Sequence, residues 1–343
     1  MKVSEFDFHL PPELIAQYPS PRRGDSRLMV VDRQSGKVTH AHFSLFPQLL
    51  HAGDLLVLNN TMVFPARLLG HKEGKNGKVE VLLAKRLTQN CWEALVRPGR
   101  KLRPVDRVIF GDGELQATIK ERGERGKRLL QFHYRGDFFQ LLEKLANPPL
   151  PPYIKRAASA EDRLRYQTIF AEERGAIAAP TAGLHFTPET LSSLKNQGVE
   201  QVAITLHIGV GTFQPIEAKE VEEHKMEEEY YRITPQAATK LNGALEEGRR
   251  IIAVGTTTTR ALESASSATK RIPSGEGWTN LFIYPGYQFE LVKALLTNFH
   301  LPRSSPLMLV CAFAGRDLIM EAYQQAIVAG YHYYSYGDCM LIL

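Results

Sequence analysis

Histidines set among glycines, threonines and prolines are the residues of this sequence best suited to chemistry. Between positions 178 and 186 the chain reads Ala178-Ala179-Pro180-Thr181-Ala182-Gly183-Leu184-His185-Phe186. Neither a core helix nor a central strand would choose that run. Pro180 removes a backbone donor, Gly183 permits a tight turn or close ligand approach, and Thr181 and His185 supply polar groups. Three further segments share this character: Leu206-His207-Ile208-Gly209-Val210-Gly211-Thr212-Phe213, Ala253-Val254-Gly255-Thr256-Thr257-Thr258-Thr259-Arg260 and Thr297-Asn298-Phe299-His300-Leu301-Pro302. Imidazoles that titrate near neutral pH, hydroxyls and an amide are groups that proton transfer and charge stabilisation use.

The spacings disfavour other chemistries. Without a His-Glu-x-x-His or a Cys/His pair, no metal is expected. Gly209-Val210-Gly211-Thr212 lacks the third glycine of a dinucleotide loop, and Gly255–Arg260 lacks the Gly-Lys-Ser/Thr ending of a P-loop. The threonine run after 251–254 can open a helix whose N–H groups hold a carboxylate, or it is a threonine-rich cap alone. Cys91, Cys311 and Cys339 are far apart, so reduced, mostly buried thiols are expected rather than a disulfide framework.

These segments need a scaffold, and 343 residues with 43% hydrophobic and 23% charged side chains suit a soluble protein of two domains. No apolar run approaches the roughly 20 residues that cross a bilayer. Met1–Phe8 carries no signal core, so a cytoplasmic protein is expected, with no membrane partner.

Charge and pattern divide the chain. Residues 66–150 hold 18 Lys/Arg against 10 Asp/Glu, an excess of eight within a total of +5, leaving −3 elsewhere. The same stretch shows short alternating runs at 78–83, 92–96, 107–110 and 115–119, separated by Gly74-Lys75-Asn76-Gly77, Arg97-Pro98-Gly99-Arg100 and Gly111-Asp112-Gly113. That spacing predicts a small antiparallel β-barrel or sandwich. It ends at Asn147-Pro148-Pro149-Leu150-Pro151-Pro152, read as an extended linker. Around it, 54–59, 251–254 and 305–313 read as buried strands, whereas Thr187-Pro188, Thr234-Pro235 and Asp317 open helical patterns. Residues 1–62 contribute one such strand. The expected fold is an α/β main domain with a mixed sheet, residues 1–62 and 153–343, interrupted by an inserted basic barrel at 63–152.

Six segments then carry a resemblance. They are Asn59–Leu68, Ala179–Thr187, Leu206–Phe213, Ala253–Thr257, Thr297–Pro302 and Ser335–Asp338, preceded by Leu10–Gln17. In this order they resemble the S-adenosylmethionine:tRNA ribosyltransferase-isomerases of queuosine biosynthesis, over nearly the whole chain. The resemblance implies an α/β domain with an inserted β-barrel. It also implies transfer and isomerisation of the ribosyl part of S-adenosylmethionine onto 7-aminomethyl-7-deazaguanine at the tRNA wobble position. Epoxyqueuosine forms, adenine and methionine leave, and S-adenosylmethionine is a consumed substrate rather than a resident cofactor. Two segments depart from the family pattern: His224-Lys225-Met226-Glu227-Glu228-Glu229-Tyr230 stands for His-x-Met-His-Ser-Glu-Trp, and Ser304-Ser305-Pro306-Leu307 for Ser-Thr-Leu-Leu.

Such chemistry needs a base beside the sulfonium, a donor to the departing adenine and stabilisation of an alkoxide. The catalytic candidates are His185, His207, His300 and Glu229. Substrate-binding candidates are Thr181, Gly183, Gly209, Gly211, Thr212, His224, Gly255, Thr256, Thr257, Asn298 and Asp338; a carboxylate at Asp338 or Glu229 could accept from the deazaguanine edge. Tyr331, Tyr333, Tyr334 and Tyr336 are either base-stacking or core residues. Contacts to tRNA phosphate fall to Arg67 and Arg156 at the module junctions, and to Arg100, Lys101 and Arg103, with Arg125, Lys127 and Arg128 as a second cluster. A monomer is expected. An RNA methyltransferase or a non-catalytic RNA-binding protein are the alternatives. The former lacks its Gly-rich loop here, and the latter leaves the four polar segments unexplained.

Overall fold

The structure is a computed structural model describing residues 1–343 except 210, 212–215 and 267–270; the side chains of Lys101 and Arg125 are also outside the description. Its main feature is a nine-stranded mixed sheet. In spatial order the strands are Gly275–Thr279, Glu229–Ile233, Glu200–Leu206, Leu55–Asn59, Ile251–Val254, Ala294–Asn298, Cys339–Ile342, Arg27–Val31 and Val38–His42. The central strands 200–206, 55–59, 251–254 and 294–298 run parallel, with Val57 level with Val202 and Ala253. Both of their faces are covered, and 55–59, 251–254 and 294–298 are buried at every position. That is why they read as continuous apolar runs. Residues 1–62 supply more than the single strand expected: 27–31 and 38–42 also join the sheet.

Helices Pro188–Asn196 and Pro235–Glu246 start where the Thr-Pro pairs predict, with the Thr187 and Thr234 side chains accepting from Thr190 N and Ala237 N. One expectation fails. Residues 305–313 form the helix Ser305–Ala314, not a strand. A helix apolar on all sides gives the same unbroken hydrophobic run as a buried strand. The deciding signals are local: the Ser304 side chain accepts from Leu307 N, and Pro306 occupies the first turn, where its missing N–H costs nothing.

The basic segment closes into a six-stranded antiparallel barrel. Strands Arg67–Lys72, Lys78–Arg86, Cys91–Arg97, Lys127–Tyr134, Leu115–Arg122 and Arg107–Phe110 pair in that order, and 107–110 returns to 67–72. Residues alternate in and out along 78–86 and 91–97. Val79, Val81, Leu83, Trp92, Ala94 and Val96 thus fill a core sealed by Phe138 and Leu142 of the helix Phe138–Leu145. The proline segment that follows is packed rather than free, with Leu150 and Ile154 buried against Tyr166 and Ala179. No helix among the described residues is long and apolar enough to cross a membrane.

Candidate active site

All four polar segments reach one narrow cleft at the ends of the central strands. Its walls are Ala178–Ala182, Ile208, Gly255–Thr257, Thr297, Asn298, His300–Pro302, Tyr334 and Ser335, around about 70 Å³ of free space. The strands deliver these residues together because 251–254 and 294–298 are neighbours in register, Val254 level with Leu296. Gly255, at φ +94°, turns the chain from strand to helix Thr256–Ala265. A wider cleft of about 540 Å³ lies between the barrel and the sheet. Lys85, Arg86, Trp92, Lys127 and Phe139 face it from the barrel, and Gly175, His207, Gly209, Glu227–Tyr230 and Trp278 from the sheet side. Ile208 borders both clefts.

His207 stands in the wider cleft. Its Nδ1 meets Thr61 Oγ1 at 2.8 Å, and its ring stacks on Tyr230 with centroids 5.2 Å apart. The other side rests on Gly175, where an added Cβ would fall 2.3 Å from Nε2. Sequence composition does not single out Thr61, Gly175 and Tyr230 as site residues. A glycine inside the short strand Glu173–Ala176 is the available signal, since a close approach is one reason for glycine there. His300 stands in the narrow cleft with Nε2 2.8 Å from Thr297 Oγ1.

His185 is placed otherwise. Nδ1 meets Ser26 Oγ at 2.6 Å and Asn298 Nδ2 lies 3.1 Å from Nε2, so both ring nitrogens are engaged and the imidazole lines neither of these clefts. Glu229 is buried. Its carboxylate accepts from Gly209 N at 2.9 Å and is ion-paired with buried Arg260, whose Nε donates to Leu281 O.

Burial depresses all three histidines, His185 and His207 to about 4 and His300 to about 3, with the Arg23 charge adding to the effect at His185. Each is neutral at pH 7. An unfolded histidine titrates near 6.5, so below that pH the unfolded chain takes up protons the folded chain refuses. Their contribution is intact above pH 6.5 and falls, by up to about 1.4 kcal/mol per pH unit for each histidine, as pH drops toward 4. Denaturant titrations at pH 7, 6 and 5 should show this steepening loss. Equal stability at pH 7 and 5 would contradict buried neutral imidazoles.

Other expected site residues are divided. Thr181, Gly255, Thr256, Thr257 and Asn298 line the narrow cleft, and Gly209 the wider one. Gly211 lies near the Glu227 side chain, and Thr212 is outside the described residues. Three further expected residues lie outside the lining of both clefts. Gly183 faces Phe170 and Thr168, where a Cβ would come within 2.8 Å, so it serves packing. Asp338 turns its carboxylate onto Arg27 N at 2.7 Å and His332 N at 2.8 Å, tying strand 27–31 to the loop before strand 339–342. His224 packs edge-on against Phe282 and lines neither cleft. Of the four expected tyrosines, Tyr331 and Tyr333 are core, Tyr336 bonds Asp162, and Tyr334 lines the narrow cleft, as does Tyr153.

Several of the cations expected to contact phosphate have partners within the chain. Arg156 is committed to Asp162 through two hydrogen bonds of 2.6 and 2.8 Å, and Arg67 to Leu150 O and Glu80. Arg128 is buried, donating to Lys127 O and Gly99 O, and Lys127 pairs with Glu227. These cations hold the barrel and its junctions together. Arg100 and Arg103 remain exposed, and the side chain of Lys101 lies outside the described residues.

Residues 3–342 match the family model described as queuosine biosynthesis protein. A protein of Desulfitobacterium hafniense named S-adenosylmethionine:tRNA ribosyltransferase-isomerase is 52% identical over 343 residues, covering all of both chains. A protein of the same name from Halothermothrix orenii is 50% identical, again over both full lengths. The crystal structure of S-adenosylmethionine tRNA ribosyltransferase from Thermotoga maritima is similar at a TM-score of 0.57 and 40% identity, covering 99% of this chain and 100% of that one. A mixed sheet with a closed barrel, two adjoining clefts lined by the polar segments, and end-to-end similarity lead to one conclusion: the chain belongs to the queuosine biosynthesis protein family.

Proposed function

We propose that this chain is an S-adenosylmethionine:tRNA ribosyltransferase-isomerase, moving the ribosyl part of S-adenosylmethionine onto 7-aminomethyl-7-deazaguanine at the tRNA wobble position, with epoxyqueuosine, adenine and methionine as products. The observation that carries the reading is that the two clefts are neighbours sharing the wall residue Ile208. A small-molecule donor and a base attached to RNA must meet at one point, and here a narrow slot opens beside a wide aromatic cleft facing the basic barrel. Trp278, exposed on the rim of the wide cleft, offers a ring face to a base there.

His207 is the acid–base residue best placed beside that shared wall. Neutral at pH 7, it accepts the proton made acidic by the adjacent sulfonium and returns one later in the rearrangement. His300 serves the narrow side. Glu229 holds Gly209 and Arg260 in place at the wide cleft, and His185 positions Asn298. No group of three or more His, Cys, Asp or Glu side chains among the described residues is arranged to hold a metal ion, and we expect turnover in chelator. The enzyme is read as a cytoplasmic monomer.

Incubation with S-adenosylmethionine and substrate tRNA tests the reading. Adenine and methionine in equal amounts are expected; S-adenosylhomocysteine would establish methyl transfer, and no product would leave binding alone. The barrel should supply the attraction to RNA. Arg100→Glu with Arg103→Glu is expected to weaken tRNA binding and flatten its salt slope by about one unit for each phosphate that is no longer neutralised, with S-adenosylmethionine affinity unchanged. An unaltered slope would move the RNA surface off the barrel.

A further inference from the structure

The narrow cleft has two features that the acid–base residues leave unused. Helix Thr256–Ala265 begins on its wall, ten residues long, with Thr256 and Thr257 lining the space. First-turn N–H groups have no intrahelical partner and carry the positive end of the helix dipole. The second feature is Asn298, 2% exposed on the same cleft. Its Nδ2 is turned to the backbone carbonyls of Tyr334 and Asp338, at 3.2 and 3.3 Å, as well as to His185. Those carbonyls only accept, which fixes the orientation of the amide. The opposite atom, Oδ1, is buried without a partner among the described residues, and so is the Tyr334 hydroxyl on the same wall. An acceptor buried in that way calls for a donor from a ligand.

One part of this cleft therefore offers donors to an anion and another offers an acceptor to a cation. We propose that the slot reads the amino-acid end of S-adenosylmethionine as a zwitterion: the N–H groups of Thr256 and Thr257 hold the α-carboxylate, and Asn298 Oδ1 accepts from the α-ammonium. This rests on the reading of the chain as an enzyme that consumes S-adenosylmethionine. The nucleoside then extends past Ile208 into the wider cleft. Because methionine leaves from the same slot, free L-methionine competes with S-adenosylmethionine for it.

The test is equilibrium binding to the full chain of S-adenosylmethionine, its decarboxylated form and the analogue with hydrogen in place of the α-ammonium. Competition by L-methionine, 4-(methylthio)butanoate and 3-(methylthio)propylamine accompanies it. Loss of either charge is expected to weaken binding about tenfold or more, and among the competitors only L-methionine should displace S-adenosylmethionine effectively. Asn298→Ala should weaken S-adenosylmethionine but not the analogue lacking the ammonium. If that variant does not fold, the ligand series on the natural chain still decides. Binding of the deaminated analogue within about twofold of S-adenosylmethionine would overturn the assignment. Adenine release together with such charge-blind binding would sink this slot alone; no adenine release from S-adenosylmethionine in the presence of substrate tRNA would overturn the reaction as well.

Discussion

Gly175→Ala is expected to lower single-turnover adenine release by about a hundredfold or more while the chain remains folded. The new methyl group would occupy space now taken by the His207 ring, 2.3 Å from Nε2. That ring cannot simply slide away. Tyr230 stacks on it, Thr61 holds Nδ1, and its backbone N–H donates to Tyr230 O at 2.9 Å. The imidazole must leave its position, which costs an acid–base group its geometry, while overpacking at one site costs stability of about 1–3 kcal/mol. His207→Ala should lose as much activity, and the two changes together no more than either alone, because both remove the same group. A Gly175→Ala enzyme with the natural rate and an intact melting transition would take His207 out of the chemistry.

The second large effect concerns stability. Glu229→Gln leaves the Arg260 guanidinium without its counter-charge where the side chains are only 3% and 7% exposed, and should cost about 3–5 kcal/mol in denaturant unfolding. The pair itself need not be strongly stabilising, since both ions lost their hydration on folding. Replacing both with methionine is therefore expected to recover most of the loss, although the cleft would stay inactive without the carboxylate that holds Gly209. A single Glu229→Gln cost below about 1 kcal/mol would show that water or another anion screens Arg260.

What could be read in the sequence follows from which interactions are local. Alternation at 78–83 and 92–96, the continuous apolar run at 54–59 and the Thr-Pro caps depend on near neighbours, and they locate strands and helices correctly. The run at 305–313 misleads because burial on all sides erases periodicity in helix and strand alike. Site residues divide in the same way. The four polar segments could be recognised by composition, and the sheet brings all four to one cleft. Asp338, Arg67, Arg156 and Arg128 look available in sequence, whereas their partners, Arg27 N, Leu150 O, Asp162 and Gly99 O, are determined by packing and by pairings between segments. Gly175 shows the converse. Its importance lies in a histidine 32 positions later in the chain, against which it packs only after strand 173–176 pairs with 61–63.

Everything functional turns on whether the two clefts join a ribosyl donor to a base in tRNA. The most direct test uses S-adenosylmethionine carrying one label in the ribose carbons and a different one in the methyl group, incubated with tRNA bearing 7-aminomethyl-7-deazaguanine. After digestion, the wobble nucleoside is expected to contain the ribose label and none of the methyl label, with the methyl label recovered in free methionine. Methyl label in the nucleoside, with the ribose label left in S-adenosylhomocysteine, would contradict ribosyl transfer by this chain.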